Sequence, residues 1–425
     1  MQFRFKWIYL ILWGLTTYAQ ALNIEDCYRL ALANSETLSS ADIRALIEED
    51  RTREIWGYAL PQLSASADFI TRGDAKDIHH HNRTKNAKVS LVFPIYNFGG
   101  ASNAIYAQEK RQESASFDVE TTQQKVLYAT HQAYYQLLEV QKIAMILKES
   151  AERLNRQMKV TQDFMDQGLV HQNELLLIDV ELSLIQQELL EAQNRVAVAT
   201  IKLNRLIGRE MDLPLELEDI YERLENHQDL RTLIFHAKNN HPLLRSLQAQ
   251  IEAARFTYEA EKGKLYPAIY GYTNYSTTND YALPYRHGLD AGIGMQLSLY
   301  DGGTTWAKLR RLKKEVSEIE QRYVAEEKNI ELSIRTAYLT LENTIHKIPV
   351  ALKSVGLAER NLTNTQEHFA EGLITNVEVI TDQEKLIRAR YNYYQSLYQY
   401  HQAKADLVFT AGVSIYSRGC KNNEE

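Results

Sequence analysis

The chain has 425 residues, with 48 Lys+Arg against 55 Asp+Glu and a formal charge of −7. Mild acidity argues against the basic face that a nucleic-acid binder presents. Seven prolines and 18 glycines are few, which favours long helices over the two or three globular domains that length alone would suggest.

The first 21 residues read as a processing signal. Arg4 and Lys6 precede an apolar run from Trp7 to Leu15, and Ala19-Gln20-Ala21 supplies a small-x-small cleavage site. The mature chain is expected to begin near Leu22. No later stretch offers about 18 consecutive apolar residues, so no transmembrane helix is expected. Cys27 follows no lipobox. It and Cys420 are the only cysteines; an oxidising compartment would allow them to pair, and two separate thiols is the simpler reading.

Residues Ile24–Tyr58 read as one helix with an acidic start at Glu25 and Asp26, stopped by Pro61. Two runs of period two follow. In Gln62–Ile70, Leu63, Ala65, Ala67 and Phe69 alternate with Ser64, Ser66 and Asp68. In Asn86–Tyr96, Ala87, Val89, Leu91, Phe93 and Ile95 alternate with Lys88 and Ser90. Each predicts a strand with one apolar and one polar face, joined by a polar loop over Thr71–Lys85. Asn97-Phe98-Gly99-Gly100 ends the second strand. From Ala101 to about Gln167 there is neither proline nor glycine, which predicts a helix on the order of 100 Å long. A tip at Asp166–Asn173 reverses the chain.

The next stretch, Gly168–Gly208, carries a heptad. Leu175, Leu182, Leu189, Val196 and Leu203 recur every seven residues, with Ile178, Ile185, Ala192, Ala199 and Leu206 between them. That is the pattern of a helix in a left-handed coiled coil. It returns 204 residues later as Val379, Leu386, Tyr393, Tyr400 and Leu407, and the bracketing Gly168 and Gly208 return as Gly372 and Gly412. A repeat of this length is a duplicated unit: residues 22–210, a connecting segment at 211–229, residues 230–412, and a tail at 413–425. The second copy predicts a helix over Leu230–Lys264, strands over Pro267–Thr277 and Leu289–Tyr300, a break at Asp301-Gly302-Gly303, and a long helix to about Phe369. Pro349 should kink that helix, at roughly 3 kcal/mol unless neighbours compensate. A tip at Glu371–Asn376 leads to the second heptad helix. The long helices must pack lengthwise, each flanked by two short ones.

The predicted fold is mainly α with a small β part. Four strands of about ten residues fit a bilayer when tilted. Four cannot close a barrel, and an open edge in lipid is forbidden, so in a membrane several chains must share one barrel. On pattern alone, a soluble four-stranded sheet lying on a coiled coil also fits.

Leu60-Pro61-Gln62-Leu63, the junctions Phe93-Pro94-Ile95-Tyr96-Asn97-Phe98-Gly99-Gly100 and Leu297-Ser298-Leu299-Tyr300-Asp301-Gly302-Gly303, the tip Phe369-Ala370-Glu371-Gly372-Leu373 and the run Ala389-Arg390-Tyr391-Asn392-Tyr393 appear in order within this duplicated plan. Together they resemble the TolC family of outer-membrane efflux channels over nearly the whole mature chain. The resemblance implies a homotrimer, a shared 12-stranded barrel in outer-membrane lipid and a coiled-coil α-helical tunnel in the periplasm. It also implies passive conduction, with a periplasmic adaptor and an inner-membrane transporter as partners, in efflux or type I secretion. By the same resemblance, the tips at Gly168, Leu169, Gly372 and Leu373 would meet the adaptor, and Gly99, Gly100, Gly302 and Gly303 would turn strand into helix.

The family narrows its periplasmic end with acids past the second tip. Glu378 holds that place; Thr381 replaces the family's second acid and Asp382 follows. Glu378 and Asp382 are four apart, on one helix face, and their first-repeat counterparts are Glu174 and Ile178. A constriction formed by Glu378, Asp382 and Glu174 would favour cations; solvated surface acids are the plainer reading. His79-His80-His81 has metal-ligand chemistry but is expected on a surface loop, without fixed geometry, so no metal site is expected. Tyr270, Tyr272, Tyr275, Tyr281 and Tyr285 suit a belt at a bilayer interface or ordinary strand packing. Tyr391, Tyr393, Tyr394, Tyr398 and Tyr400 suit packing between helices. No phosphate-binding loop, Gly-x-Ser-x-Gly elbow or His-Glu-x-x-His occurs, so neither an enzyme nor a cofactor is expected. A periplasmic coiled-coil adaptor or structural protein is the main alternative.

Overall fold

The computed structural model describes residues 21–74, 77–219, 229–280 and 283–414. The expected signal segment, Tyr281 and Cys420 lie outside them. In chain order the elements are α1 (Ile24–Asn34), α2 (Glu36–Tyr58), β1 (Gln62–Asp74), β2 (Asp77–Tyr96), α3 (Gly100–Asp166) and α4 (Gln172–Ile207). The same plan follows as α5 (Leu230–Asn240), α6 (Pro242–Lys262), β3 (Ala268–Asp280), β4 (Leu283–Gln296), α7 (Thr304–Ala370) and α8 (Asn376–Thr410).

Helices α3 and α7 have 67 residues each, so each is a rod of about 100 Å. Helices α2 and α4 both pack along α3, α5 and α8 along α7, and α6 lies between α3 and α7. The flanking of long helices by stacked short ones is therefore as the lengths required. The heptad explains why the rods adhere. In α4, Ile178, Leu182, Ile185, Ala192, Ala199 and Leu203 are buried, and in α8 so are Val379, Leu386, Tyr400 and Leu407. Each fully buried Leu, Ile or Val contributes about 1.5–3 kcal/mol relative to exposure. Tyr398 joins Tyr400 among the most buried side chains, as expected for packing between helices.

Two single helices of the sequence reading prove to be broken. The first breaks at Ser35, whose Oγ accepts the Leu38 N–H and caps α2. The second breaks at His241, where Pro242 occupies the first turn of α6. By contrast α7 runs on through Pro349. Pro349 lies on the exposed side of the rod, where water can meet the carbonyl it leaves unbonded.

The four strands form one antiparallel sheet in the order β1-β2-β3-β4. Residues directly opposite each other share a face. One face carries Leu63, Ala65, Ala67 and Phe69 beside Leu91, Val89 and Ala87, then Thr273 and Tyr275, then Ala291, Leu289 and Ile293. The other carries Ser64, Ser66 and Asp68 beside Ser90, Lys88 and Asn86, then Asn274 and Ser276, then Asp290 and Gly288. The first is apolar and the second polar. Strands β1 and β2 run well into the expected loop Thr71–Lys85, with Thr71 opposite Arg83. Backbone pairing needs no apolar side chains, so the ladder continues after the alternation stops. The backbone of His79–His81 is in β2, not in a loop; their side chains lie outside the description. Strand β4 stops at Gln296 rather than Tyr300, since its last partner is Ala268 and Pro267 has no N–H to offer.

Three sheet glycines are covered by aromatic rings. A Cβ on Gly271 would lie 2.3 Å from the Phe93 ring, and one on Gly294 would lie 2.5 Å from the ring of Tyr270. A Cβ on Gly292 would come within 2.9 Å of the Tyr272 hydroxyl. Tyr270 and Tyr272 thus lie on the polar face, while Tyr275 is on the apolar one. The three cannot form one belt, because odd and even positions of a strand face opposite ways. We expect Gly271→Ala to lower stability by about 1–3 kcal/mol. Placed in a Phe93→Ala background it should cost almost nothing. Thermal melting of the four proteins of that double-mutant cycle checks this; additive losses would contradict the ring contact.

Candidate functional site

The two helix tips come together at one end of the rod. Both close in the same way. Gly168 and Gly372 take left-handed φ values of 73° and 74°, which a Cβ would strain. The next N–H reaches back five residues, Leu169 to the Phe164 carbonyl and Leu373 to that of His368, each at 2.9 Å. This closes a Schellman turn. Leu169 and Leu373 are left 66% and 67% exposed, so each tip ends in an uncovered leucine. The rings of Phe164 and Phe369 lie 5.6 Å apart and join the tips.

Behind them is a polar knot. Asn376, fully buried at the start of α8, accepts from Gln157 Nε2 at 2.8 Å and from Thr161 Oγ1 at 3.3 Å. Its backbone N–H donates to Glu174 Oε2 at 3.2 Å. Glu174 therefore tethers α4 to the N-terminus of α8, a favourable place for a carboxylate. Glu378 is exposed in the same first turn of α8. Asp382 does not join it on the surface. It is buried, accepting from Thr365 Oγ1 at 2.6 Å and from Lys385 Nζ at 2.8 Å. Burial works against its charge, but those bonds outweigh burial and hold the carboxyl below its ordinary value. Of the three expected acids, Glu378 is the one with an open carboxylate, Glu174 caps a helix and Asp382 pins α7 to α8.

Above the knot, α8 is tied to α3 by side chains that the spacing of residues did not reveal. Gln383 Nε2 donates to Ser150 Oγ at 3.0 Å and to the Ser150 carbonyl at 3.1 Å. Arg390 lies between two rods, 2.8 Å from Glu149 Oε2 on α3 and 2.7 Å from Glu359 Oε1 on α7. Arg153 is nearly shielded beside them, with Nε and Nη2 lacking a hydrogen-bond partner among the described residues. Farther up, Tyr128 OH donates to Asp406 Oδ1 at 3.2 Å, and Gln124 Nε2 to the Gly412 carbonyl at 3.3 Å. The α3–α8 seam sets these polar bonds among apolar and aromatic contacts, such as Tyr128 stacked on Phe409 at 4.5 Å and Ile380 and Ile387 against the α3–α4 core, whereas the α3–α4 seam is apolar.

At the other end of the rod, the junctions obey the 204-residue shift, with one change from the expected pairing. The left-handed pairs are Phe98-Gly99 and Gly302-Gly303; Phe98, not Gly99, is the counterpart of Gly302. Gly100 is already the first residue of α3, and its Cα would lie 3.1 Å from a Cβ on Gly263. It serves close approach of α3 and α6 rather than the turn. Phe98 pays about 1–2 kcal/mol for φ > 0 and is held by ring contacts with Tyr96 at 4.8 Å and Tyr266 at 5.1 Å. The side chains of Asn97 and Asp301, also 204 apart, cap the two long helices through Ala101 N–H and Thr305 N–H.

A chain of this shape, with a two-faced sheet on a rod of about 100 Å, is found among known proteins. The outer membrane efflux protein family matches residues 27–209 and 233–413. The chain belongs to that family. It is 24% identical over 430 residues to the alkaline protease secretion protein AprF of Pseudomonas aeruginosa, spanning 93% of this chain and 85% of that one. It is 22% identical over 404 residues to the outer membrane protein TolC of Escherichia coli, spanning 89% and 81%. The solved structure of CusC superposes with a TM-score of 0.83 over 92% of both chains at 14% identity. The sheet is thus the outer-membrane part of an efflux channel and the rod its periplasmic helical tunnel.

Because Asp382 is held below its ordinary value, its contribution to stability is present above pH 3.8 and is lost as pH falls below it. Asp382→Asn should lower stability at neutral pH and flatten the acid limb of the stability curve. Urea unfolding followed from neutral pH down to pH about 3 reads both effects; an unchanged acid limb would show the carboxylate to be solvated.

Proposed function

We propose that three copies of this chain close a single pore that passively conducts cargo outward, fed by an inner-membrane transporter through a periplasmic adaptor. The observation that carries this reading is the sheet: four strands, one apolar face, and outer strands β1 and β4 with no further partner among the described residues. Unpaired edges are not tolerated in lipid, and three copies of four strands make twelve, an ordinary barrel size.

The helices agree. On α4, Leu177, Leu184 and Val198 form a second apolar stripe at multiples of seven residues, and all three are exposed in the single chain. On α7, Leu332 and Leu339, and then Val350 and Leu357, repeat the same spacing, also exposed. The two stripes belong to helices packed on different neighbours, α4 on α1, α3 and α8, and α7 on α5, α6 and α8. A head-to-tail contact that joins one to the other closes into a ring. An adaptor protein would not carry two such units with a shared sheet. Leu339→Asp should break the ring, and native mass spectrometry in detergent should then find single chains where the parent gives three; a trimer that survives this change would remove the α7 stripe from the interface.

At the tips, Leu169 and Leu373 present exposed apolar ends for an adaptor, and Glu378 is the residue we place at the pore axis. Three carboxylates near one axis would attract cations and repel anions. In planar bilayers, Glu378→Ala is expected to bring the K⁺ to Cl⁻ permeability ratio toward unity and to abolish block by Mg²⁺. An unaltered ratio would remove Glu378 from the constriction.

A further inference from the structure

The four tryptophans are Trp7, Trp13, Trp56 and Trp306. The first two fall in the expected signal segment. The other two are 49% and 61% exposed, and both sit where the helices meet the sheet. Trp56 is near the end of α2 and Trp306 in the first turn of α7. Exposed Tyr58, Leu60, Leu299 and Tyr300 surround the same level. Amphipathic aromatics gather where bilayer meets water.

Just beyond Trp306 comes a charge run. Lys308, Arg310, Arg311, Lys313 and Lys314 fall within seven positions, and the first acid after them is Glu315. Lys308 is 2.8 Å from Glu261, and Arg311 pairs with Glu315 one turn on. Arg310, Lys313 and Lys314 are exposed and make no ion pair among the described residues. The first repeat lacks this strip: 204 positions earlier stand Tyr106, Glu109 and Lys110, and Lys110 is paired with Glu113 and Glu252. Helix packing, which the two repeats share, therefore does not account for it.

We propose that the first three turns of α7 form a docking strip for anionic phospholipid headgroups of the leaflet that faces the helical rod. The inference rests on the reading that the sheet spans the outer membrane. Three things on the molecule select this occupant. The apolar face of the sheet ends at Met295, opposite Ile269, and marks the edge of the hydrocarbon. The aromatic collar follows, and the free cations come next, with Arg310 about 9 Å along α7. Lys and Arg stems of that length reach back to a headgroup layer while their heads stay wet. A polybasic strip beside a bilayer recognises negative surface charge, falling off within a Debye length.

Trp306 is itself the probe. In a Trp56→Phe background it is the single tryptophan of the mature chain, so its fluorescence quenching by brominated lipids reports local lipid composition. We expect brominated phosphatidylglycerol to quench Trp306 at least about fivefold more effectively than brominated phosphatidylethanolamine in mixed nanodiscs, the preference that one cation alone would give at a charged surface. R310Q/K313Q/K314Q should make the two lipids equal, and added inorganic phosphate should leave the preference of the parent intact. Equal quenching in the parent, or a preference that survives the triple variant, overturns the strip. So does reversal by free phosphate, which would mark a site for small anions, or dissociation of the triple variant into single chains, which would mark an interface between copies. If neither lipid quenches Trp306, the membrane reading of the sheet fails as well, whereas equal quenching by both overturns the lipid preference alone.

Discussion

The controlling constraint is that a peptide backbone in hydrocarbon must find all its hydrogen bonds within protein. The sheet meets this along β2 and β3, each paired on both sides, and leaves the outer sides of β1 and β4 without a strand partner among the described residues. Everything below the sheet follows from that debt. In the three-copy arrangement proposed above, those edges would pair with neighbouring copies around an axis, and the rods hanging from the barrel would become the staves of a tube. The 67-residue helices are tolerable for the same reason. A lone rod of about 100 Å has too little core of its own, but one flanked on both sides buries a stripe along its whole length.

The duplication shows how one plan takes two tasks. In the first repeat, the second heptad positions are Ile178, Ile185, Ala192, Ala199 and Leu206; 204 residues on they become Asp382, Ala389, Ser396, Ala403 and Thr410. Apolar in one hairpin, these positions are small or polar in the other. The counterpart of Asp382 is thus Ile178, a fully buried core residue, and this is why Asp382 lies inside the α7–α8 seam and not with Glu378. The spacing of four between Glu378 and Asp382 suggested a shared face. The repeat itself held the better clue, because a position that is core in one copy is core in the other.

Much of the architecture was legible because it rests on periodicity. Heptads gave the coiled coils, alternation gave the sheet faces, and glycines 204 apart gave the tips. What stayed hidden depends on contacts between distant segments. Arg390 stood in a recognised run, but nothing local says that Glu149 and Glu359 flank it. Breaks at Ser35 and His241 are single capping events within helical patterns, and extension of β1 and β2 past their apolar residues leaves no trace in side-chain alternation. Phe98 takes a left-handed turn that its residue type does not signal, because the adjacent Gly99-Gly100 is the expected place for positive φ.

The hydrogen bonds in the α3–α8 seam act differently from the apolar contacts around them. A buried polar group contributes little net stability when bonded, about 0.5–1.5 kcal/mol, but leaving it unbonded costs about 1–3 kcal/mol. These bonds therefore specify register more than they add adhesion: sliding α8 by one residue would strand Gln383, Arg390 and Asn376 together, whereas the apolar contacts would lose only packing. The apolar α3–α4 seam supplies cohesion within the first hairpin, and the α7–α8 seam does so within the second, with the Thr365–Asp382 bond set into it. The protomer is thus two cohesive hairpins that share apolar contacts and are keyed in register by hydrogen bonds. Arg390, with one carboxylate on each side, is the residue at which that key and the second hairpin share a single charge.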